Sequence, residues 1–376
     1  MVGLQKFWKG LVGPQKDKSG MITYDAWRKK YIRQHEGMLY VAYNADGVSS
    51  PKDAVTVSEA IGYGMLISVM VDNRADFDGL LAFYEAHQNA HGLMCWQQVC
   101  RGGKVFTNPD PDAGGQNCAT DGDADAAYAL LLAARQWKCE AYKARAISIC
   151  KAFHEWCIHH ETHVTTLGDW CRPGMWQYGL TRASDYMLTH FVLFAQEDAE
   201  RRKEWTQVFE ATVATIKLQQ TLHPTGLVAD FLEHHGDKGC YLPVTKKVLE
   251  RNDDPNYSYN ACRIPWRLSV YYWETRDARI LPALKAMQAF FEGQPEVFAG
   301  YKLDGTPLAD YTNICFLAPV WCLYKVLDSP GLKKVANKIG ELTAAGHGNY
   351  YGETMELIGI LQLQRKWLSL EPVCQA

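Results

Sequence analysis

Residues 118–137 read CATDGDADAAYALLLAARQW. Asp121, Asp123 and Asp125 stand within five residues, directly before a run of small and apolar side chains. Carboxylates in a first helical turn are favoured by the positive end of the helix dipole, so the aspartates suit a helix start whether or not they do chemistry. A calcium loop is the competing reading, and it fails on spacing. An EF-hand asks for Gly at its sixth position and Glu at its twelfth, where this chain has Ala126 and Leu132. An apolar helix entered through an acidic turn remains.

The same three- and four-residue spacing of apolar positions continues along most of the chain, and strict alternation is scarce, so the fold class expected is all-α. Twelve helical stretches are predicted, near 24–35, 56–73, 77–88, 121–137, 140–160, 182–197, 199–219, 262–275, 278–293, 310–327, 331–345 and 350–370. Six helical hairpins follow. Gly, Pro, Asn and Asp collect between them, as in 102–115 and 236–255, and long loops on a helical scaffold are where function is usually carried. No Ser/Gly or Pro tract and no block of like charge interrupts the chain, so residues 1–376 are expected to form a single domain.

With 376 residues and 47% hydrophobic content the chain has ample material for a core. Its 39 basic and 42 acidic residues leave a net charge of −3, too weak a field to argue for nucleic acid or an anionic membrane as partner. No apolar run reaches the roughly 20 residues that cross a bilayer, and residues 1–13 lack the apolar stretch of a signal peptide. A soluble monomer is expected, and a secreted chain with its leader removed is favoured over a cytoplasmic one. The 12 Cys include no CxxC pair, and are expected to be structural thiols rather than disulfides. Twelve Trp and 20 Tyr supply flat rings with a polar edge, which serve equally as core residues and as stacking surfaces for sugars.

Two further segments stand out. In 56–65, TVSEAIGYGM, Thr56 and Glu59 have the spacing of a capping box. Gly62 and Gly64 follow, each costing about 1 kcal/mol in a helix interior relative to Ala, so something large is expected to approach the backbone there. In 250–267, ERNDDPNYSYNACRIPWR, an acidic loop precedes Arg263 and Arg267, and Pro265 suits the first turn of the next helix. A solvated charge cluster is the bland reading; Tyr257, Tyr259 and Trp266 are not what such a face needs.

Residues 119–137 resemble the signature of glycoside hydrolase family 8: an Ala-Thr-Asp-Gly-Asp start running through small and apolar residues to a Trp, with Ala126 where the family prefers Ile or Met. Ser58-Glu59 with Gly62-Tyr63-Gly64 is similar to the family's general-acid segment. Tyr259 to Arg267 resembles its Tyr-Asp-Ala-x-Arg-x-Pro-Trp-Arg segment, and Tyr350-Tyr351 a tyrosine pair at the far end of its cleft. Together these segments span roughly residues 40–365. The resemblance implies an (α/α)6 barrel, in agreement with the twelve stretches, and an enzyme that hydrolyses internal β-linked bonds of a polysaccharide with inversion.

One departure bears on mechanism. Many family members carry the general base, an Asp, where this chain has Asn260, and Asn does not accept a proton near neutral pH. A branch containing chitosanases and lichenases is similar in having Asn there and a Glu base in the preceding loop, which by position is Glu250, with Asp253 and Asp254 as fallbacks. Inversion needs a protonated carboxyl for the leaving oxygen and an ionised one to activate water, about 6.5–9.5 Å apart. The resemblance makes Glu59 the acid, its pKa expected to be raised by a partly apolar cleft wall. Asp121 would hold the sugar ring at the cleavage point, with Asp123 as the alternative in that role. Asn260 would position the water, Arg263 and Tyr259 would orient the site, Trp96 would stack on a neighbouring sugar, and Tyr350 and Tyr351 would bind substrate. Trp96 is also readable as core.

Chitosan and mixed-linkage β-glucan are the substrates expected; the acidic stretches 109–125 and 250–254 lean towards the polycation chitosan, and plain β-1,4-glucan or xylan is the alternative. Rival readings are a non-catalytic carbohydrate-binding toroid, in which Asn260 marks a lost base, and a helical-barrel enzyme of other chemistry such as terpenoid cyclisation. The histidines 154, 159, 160 and 163 miss zinc-protease spacing by one residue, and no Gly-x-Ser-x-Gly elbow or phosphate loop is present. No metal and no cofactor are expected.

Overall fold

The computed structural model describes residues 21–45 and 52–368. It divides into two compact units, Met1–Ala152 with Ala336–Leu361, and Phe153–Val335 with Gln362–Ala376. Among the described residues there are twelve α-helices, one for each predicted stretch, and eight short strands in three antiparallel sheets.

In the first unit α1 (Tyr24–Tyr31) ends sooner than its periodicity predicts, because Ile32 turns into extended backbone. It opens β1 (Ile32–His35), which pairs with β2 (Met38–Val41). Between them Glu36 and Gly37 have φ of 48° and 80°, the two positive values that match a tight turn to the twist of a hairpin. Trp27, fully buried, donates its ring N–H to Thr354 Oγ1 at 2.8 Å and ties α1 to α12 (Tyr350–Gln362).

The centre of this unit is the pair α2 (Ser58–Met70) and α4 (Thr120–Trp137), with α3 (Arg74–Ala86) against α2. Every residue of α2 except Glu59 is buried, and so is all of α4 from Thr120 to Ala133. A helix apolar on every side, as α2 nearly is, has to be enclosed. They meet through glycine. A Cβ on Gly62 would lie 2.8 Å from the Gly122 carbonyl oxygen, and one on Gly122 would lie 2.5 Å from the Ser58 carbonyl carbon. A Cβ on Gly64 would meet Val41 Cγ2 at 2.6 Å. What approaches these glycines is therefore the protein's own interior.

The capping box expected from Thr56 and Glu59 does not form. β3 (Ala54–Val57) runs straight into α2, so the N-cap is Val57, in extended conformation and without a side-chain bond, and Thr56 is buried in the strand. Sheet pairing has overridden the local signal: β3 pairs with β4 (Gln97–Arg101), which pairs with β5 (Lys104–Thr107).

In the second unit α6 (Leu188–Glu197) packs on α7 (Arg202–Leu222), their short connection held by Asp198, which accepts from Arg201 Nε at 2.7 Å and Trp205 Nε1 at 3.0 Å. α8 (Ile264–Thr275) carries Pro265 in its first turn, as predicted, and packs on α10 (Ile314–Val326). The strands β6 (Leu180–Arg182), β7 (Phe231–His235) and β8 (Cys240–Pro243) form one sheet, and the acidic loop follows β8. α5 (Glu140–Cys157), α9 (Leu281–Glu292) and α11 (Leu332–Ala344) complete the twelve. The cysteines among the described residues are free thiols, and no described helix is long and apolar enough to cross a membrane.

Candidate active site

In the first unit the candidate residues gather where β3 passes into α2. Ser58 donates its N–H to the Trp96 carbonyl at 2.9 Å, and Glu59 follows as the single incompletely buried residue of its helix. The Tyr350 hydroxyl donates to Glu59 Oε1 at 3.0 Å. Tyr350 is itself buried, with the rings of Tyr31 and Tyr43 edge-on at 6.0 and 6.3 Å. It thus stands beside Glu59, and Tyr351 next to it is half-buried. Trp96 is half-buried and donates its ring N–H to the Ala113 carbonyl at 3.1 Å.

Asp121 opens α4, nearly enclosed at 3% exposure, with the Gly122 N–H on its Oδ1 at 3.0 Å. Asp123 departs from expectation. It is fully enclosed, and its Oδ1 accepts from the Tyr84 hydroxyl and from the Met94 N–H, the latter at 2.9 Å. It fastens the segment that carries Trp96, and the direct hold on a sugar offered for it is not the role its surroundings describe.

In the second unit a connected polar network surrounds Glu250. The Asn260 carboxamide donates from Nδ2 to Glu250 Oε2 at 3.0 Å and accepts at Oδ1 from Arg263 Nη2, also at 3.0 Å. Arg182 Nη1 lies 3.6 Å from Glu250 Oε1. Glu250 keeps 35% of its side chain open to solvent, whereas Asn260 and Arg263 are buried. Tyr259 lies under the Arg251 guanidinium at 4.5 Å, with its hydroxyl 3.2 Å from that of Tyr311.

Two buried carboxyls shape the backbone of this network. Asp254 takes the N–H groups of Val248, Leu249 and Glu250 on Oδ2, at 2.8, 2.9 and 3.2 Å, and that of Arg251 on Oδ1 at 2.8 Å. With both oxygens so engaged it is the clasp of the loop, and its place as a fallback base falls away. Asp230 takes three N–H groups from 258–261. Its pKa is pushed up to about 7, chiefly by burial, against which the N–H groups of Ala261, Asn260 and Ser258 pull it down.

Asp230 and Arg182 were missed by sequence reasoning. Arg182 ends a strand of three residues and Asp230 directly precedes one of five, and pairing of β6 with β7 brings them together. No spacing rule reaches across that interval. Among the described residues, no group of three or more His, Cys, Asp or Glu is arranged to hold a metal ion.

The profile of Glycosyl hydrolases family 8 matches residues 15–365. The beta-glucanase of Niallia circulans is 32% identical over 373 residues, covering 93% of this chain and 85% of that protein. Endoglucanase A of Acetivibrio thermocellus is 26% identical over 347 residues, covering 90% and 68%. The apo structure of the beta-1,3-1,4-glucanase from Paenibacillus sp.X4 matches with a TM-score of 0.78 at 30% identity, covering 91% of this chain and 90% of that one. Because the profile runs through all twelve helices and the Niallia and Paenibacillus proteins match over most of their length at 30% identity or more, the chain belongs to glycosyl hydrolases family 8 and is a glycoside hydrolase of the all-α (α/α)6 barrel class.

Proposed function

We propose that this enzyme cleaves internal bonds of mixed-linkage β-1,3-1,4-glucan with inversion, Glu59 acting as general acid and Glu250 as general base. The observation that carries the reading is the Asn260 carboxamide, which donates to Glu250 and accepts from Arg263. An Asp at 260 is acceptor-only when ionised and would set a second carboxylate 3.0 Å from the first. Asn removes that repulsion and turns position 260 into a brace for a base that sits elsewhere. Solvent reaches Glu250, as a residue that activates water requires.

In this mechanism Glu59 gives its proton to the glycosidic oxygen while water, deprotonated by Glu250, attacks the anomeric carbon from the opposite face; the bond breaks with inversion. Tyr350 steadies the Glu59 carboxyl, Asp121 holds the ring at the cleavage point, and Trp96, Tyr259 and Tyr351 contact the sugars on either side. Residues 1–376 act as one catalytic domain, a reading supported by the family profile that spans both units.

The charge around the base favours a neutral glucan over chitosan. Arg182 and Arg263 stand in its network and Arg251 lies over Tyr259 beside it, and a polymer of ammonium groups would be repelled there. Half of the acidic residues in the stretches that leaned towards chitosan, Asp121, Asp123, Asp125 and Asp254, are buried. The names of the Niallia and Paenibacillus relatives point the same way. Plain β-1,4-glucan is the second reading, carried by the endoglucanase relative.

The test is reducing-sugar release from lichenan, chitosan, carboxymethylcellulose and xylan, by wild type and by Glu250→Gln, with the anomer of the fresh product read by NMR. Fastest cleavage of lichenan, an α-anomer as first product and a dead variant are expected. Full activity in Glu250→Gln would remove Glu250 as the base.

A further inference from the structure

Asp230 sits immediately before β7, enclosed at 3% exposure. Its backbone is pinned on two sides, its N–H on the Asn256 carbonyl at 2.7 Å and its carbonyl under the Ala183 N–H at 3.0 Å. From this fixed point Oδ1 accepts the N–H groups of Ser258, Asn260 and Ala261 at 3.0, 3.1 and 2.7 Å. Three donors on one oxygen set the course of 258–261, and with it the direction in which the Asn260 side chain leaves the backbone.

We propose that Asp230 is a positioning residue for the catalytic base: by gathering the 258–261 amides on one oxygen it aims the Asn260 carboxamide at Glu250. The proposal rests on the reading of Glu250 as base. Enclosing this carboxyl works against stability, since burial and the charge of Glu250 both disfavour its ionised form. What the enclosed group supplies is orientation of the brace, and through it of the side chain that activates water.

The test uses the full chain and whichever polysaccharide the wild type cleaves fastest, with kcat and KM measured for Asp230→Ala, Asn260→Ala, the double variant, Asp230→Asn and Glu250→Gln. Loss of Asp230 is expected to lower kcat about 10- to 100-fold with KM within about twofold, as a displaced catalytic group does. The double variant should be no slower than Asn260→Ala alone, because both changes remove one effect. Asp230→Asn, which keeps an acceptor oxygen in place, should recover most of the loss. Multiplying losses in the double variant, wild-type kcat in Asp230→Ala, or no recovery in Asp230→Asn would each overturn the proposal. If Asp230→Ala does not fold, Asp230→Glu replaces it in the same cycle, its extra methylene moving the oxygen off the three amides. A fully active Glu250→Gln would mean that the base assignment itself has failed; a dead Glu250→Gln with multiplying losses would sink Asp230 alone.

Discussion

Glu59 stands on a helix whose other residues are all buried, whereas Glu250 stands in a loop with no helix or strand of its own. The backbone under Glu59 is fixed by its own helical bonds and by the glycine contact with α4. That under Glu250 is fixed by side chains: Asp254 collects four amides around it, and Asp230 collects three behind Asn260. Around Glu59, then, a lost side-chain bond leaves the main chain where it is. Around Glu250, the base proposed above, the main chain depends on two buried carboxyls, so errors there spread.

The largest effects treat the two regions alike. Glu59→Gln and Glu250→Gln should each lower kcat by about 10²- to 10⁴-fold, the usual worth of a general acid or base. An active variant on either side would break the symmetry of roles. The next effect separates the regions. Because the folded state keeps a proton on Asp230 from its ordinary value of 3.8 up to about 7, while the unfolded chain releases it early, stability should fall as pH rises through that window and level off above it. The slope is at most about 1.4 kcal/mol per pH unit, read by urea unfolding at a series of pH values. Asp230→Asn should flatten it; an equal slope in that variant would assign it to other groups.

Substitutions in the scaffold sharpen the contrast further. Gly122→Ala drives a Cβ into the Ser58 backbone and should cost about 1–3 kcal/mol of global stability, with a lowered urea midpoint. Asp254→Ala strands four amides for a similar cost of about 1–3 kcal/mol, but the damage should appear as faster hydrogen exchange confined to 248–251. Global loosening in that variant would show that the loop is no separate element. The smallest effect is that of Tyr350→Phe, which removes one bond to Glu59, worth about 1 kcal/mol, and should slow kcat several-fold without moving the helix.

The sequence foretold most readily what repeats locally. Twelve apolar stretches became twelve helices, and Pro265 marked the start of α8. It failed where a short strand decides. Thr56 has the spacing of a cap, yet pairing of β3 with β4 extends it into the sheet. Strands of three to five residues are too brief to show alternation, so β6 and β7, and with them Arg182 and Asp230, gave no sign. Asn260 and Glu250 were linked only through family resemblance, since no local spacing joins an asparagine to a glutamate ten residues before it. Asp123 misled because a carboxylate in a first helical turn looks the same whether it faces a ligand or, as here, fastens a neighbouring segment.

The glycine contact between α2 and α4 also constrains how the chain can change in length. An α-helix turns about 100° per residue, so an insertion between Glu59 and Gly62 would swing the carboxyl about that far around the helix while the contact with Gly122 held the rest. A deletion would do the same in the opposite sense. The interval from Glu59 to Gly62 therefore admits no insertion or deletion that keeps the Glu59 carboxyl in register, and variation in length has to fall in loops such as 108–115, where added residues leave both helices as they are.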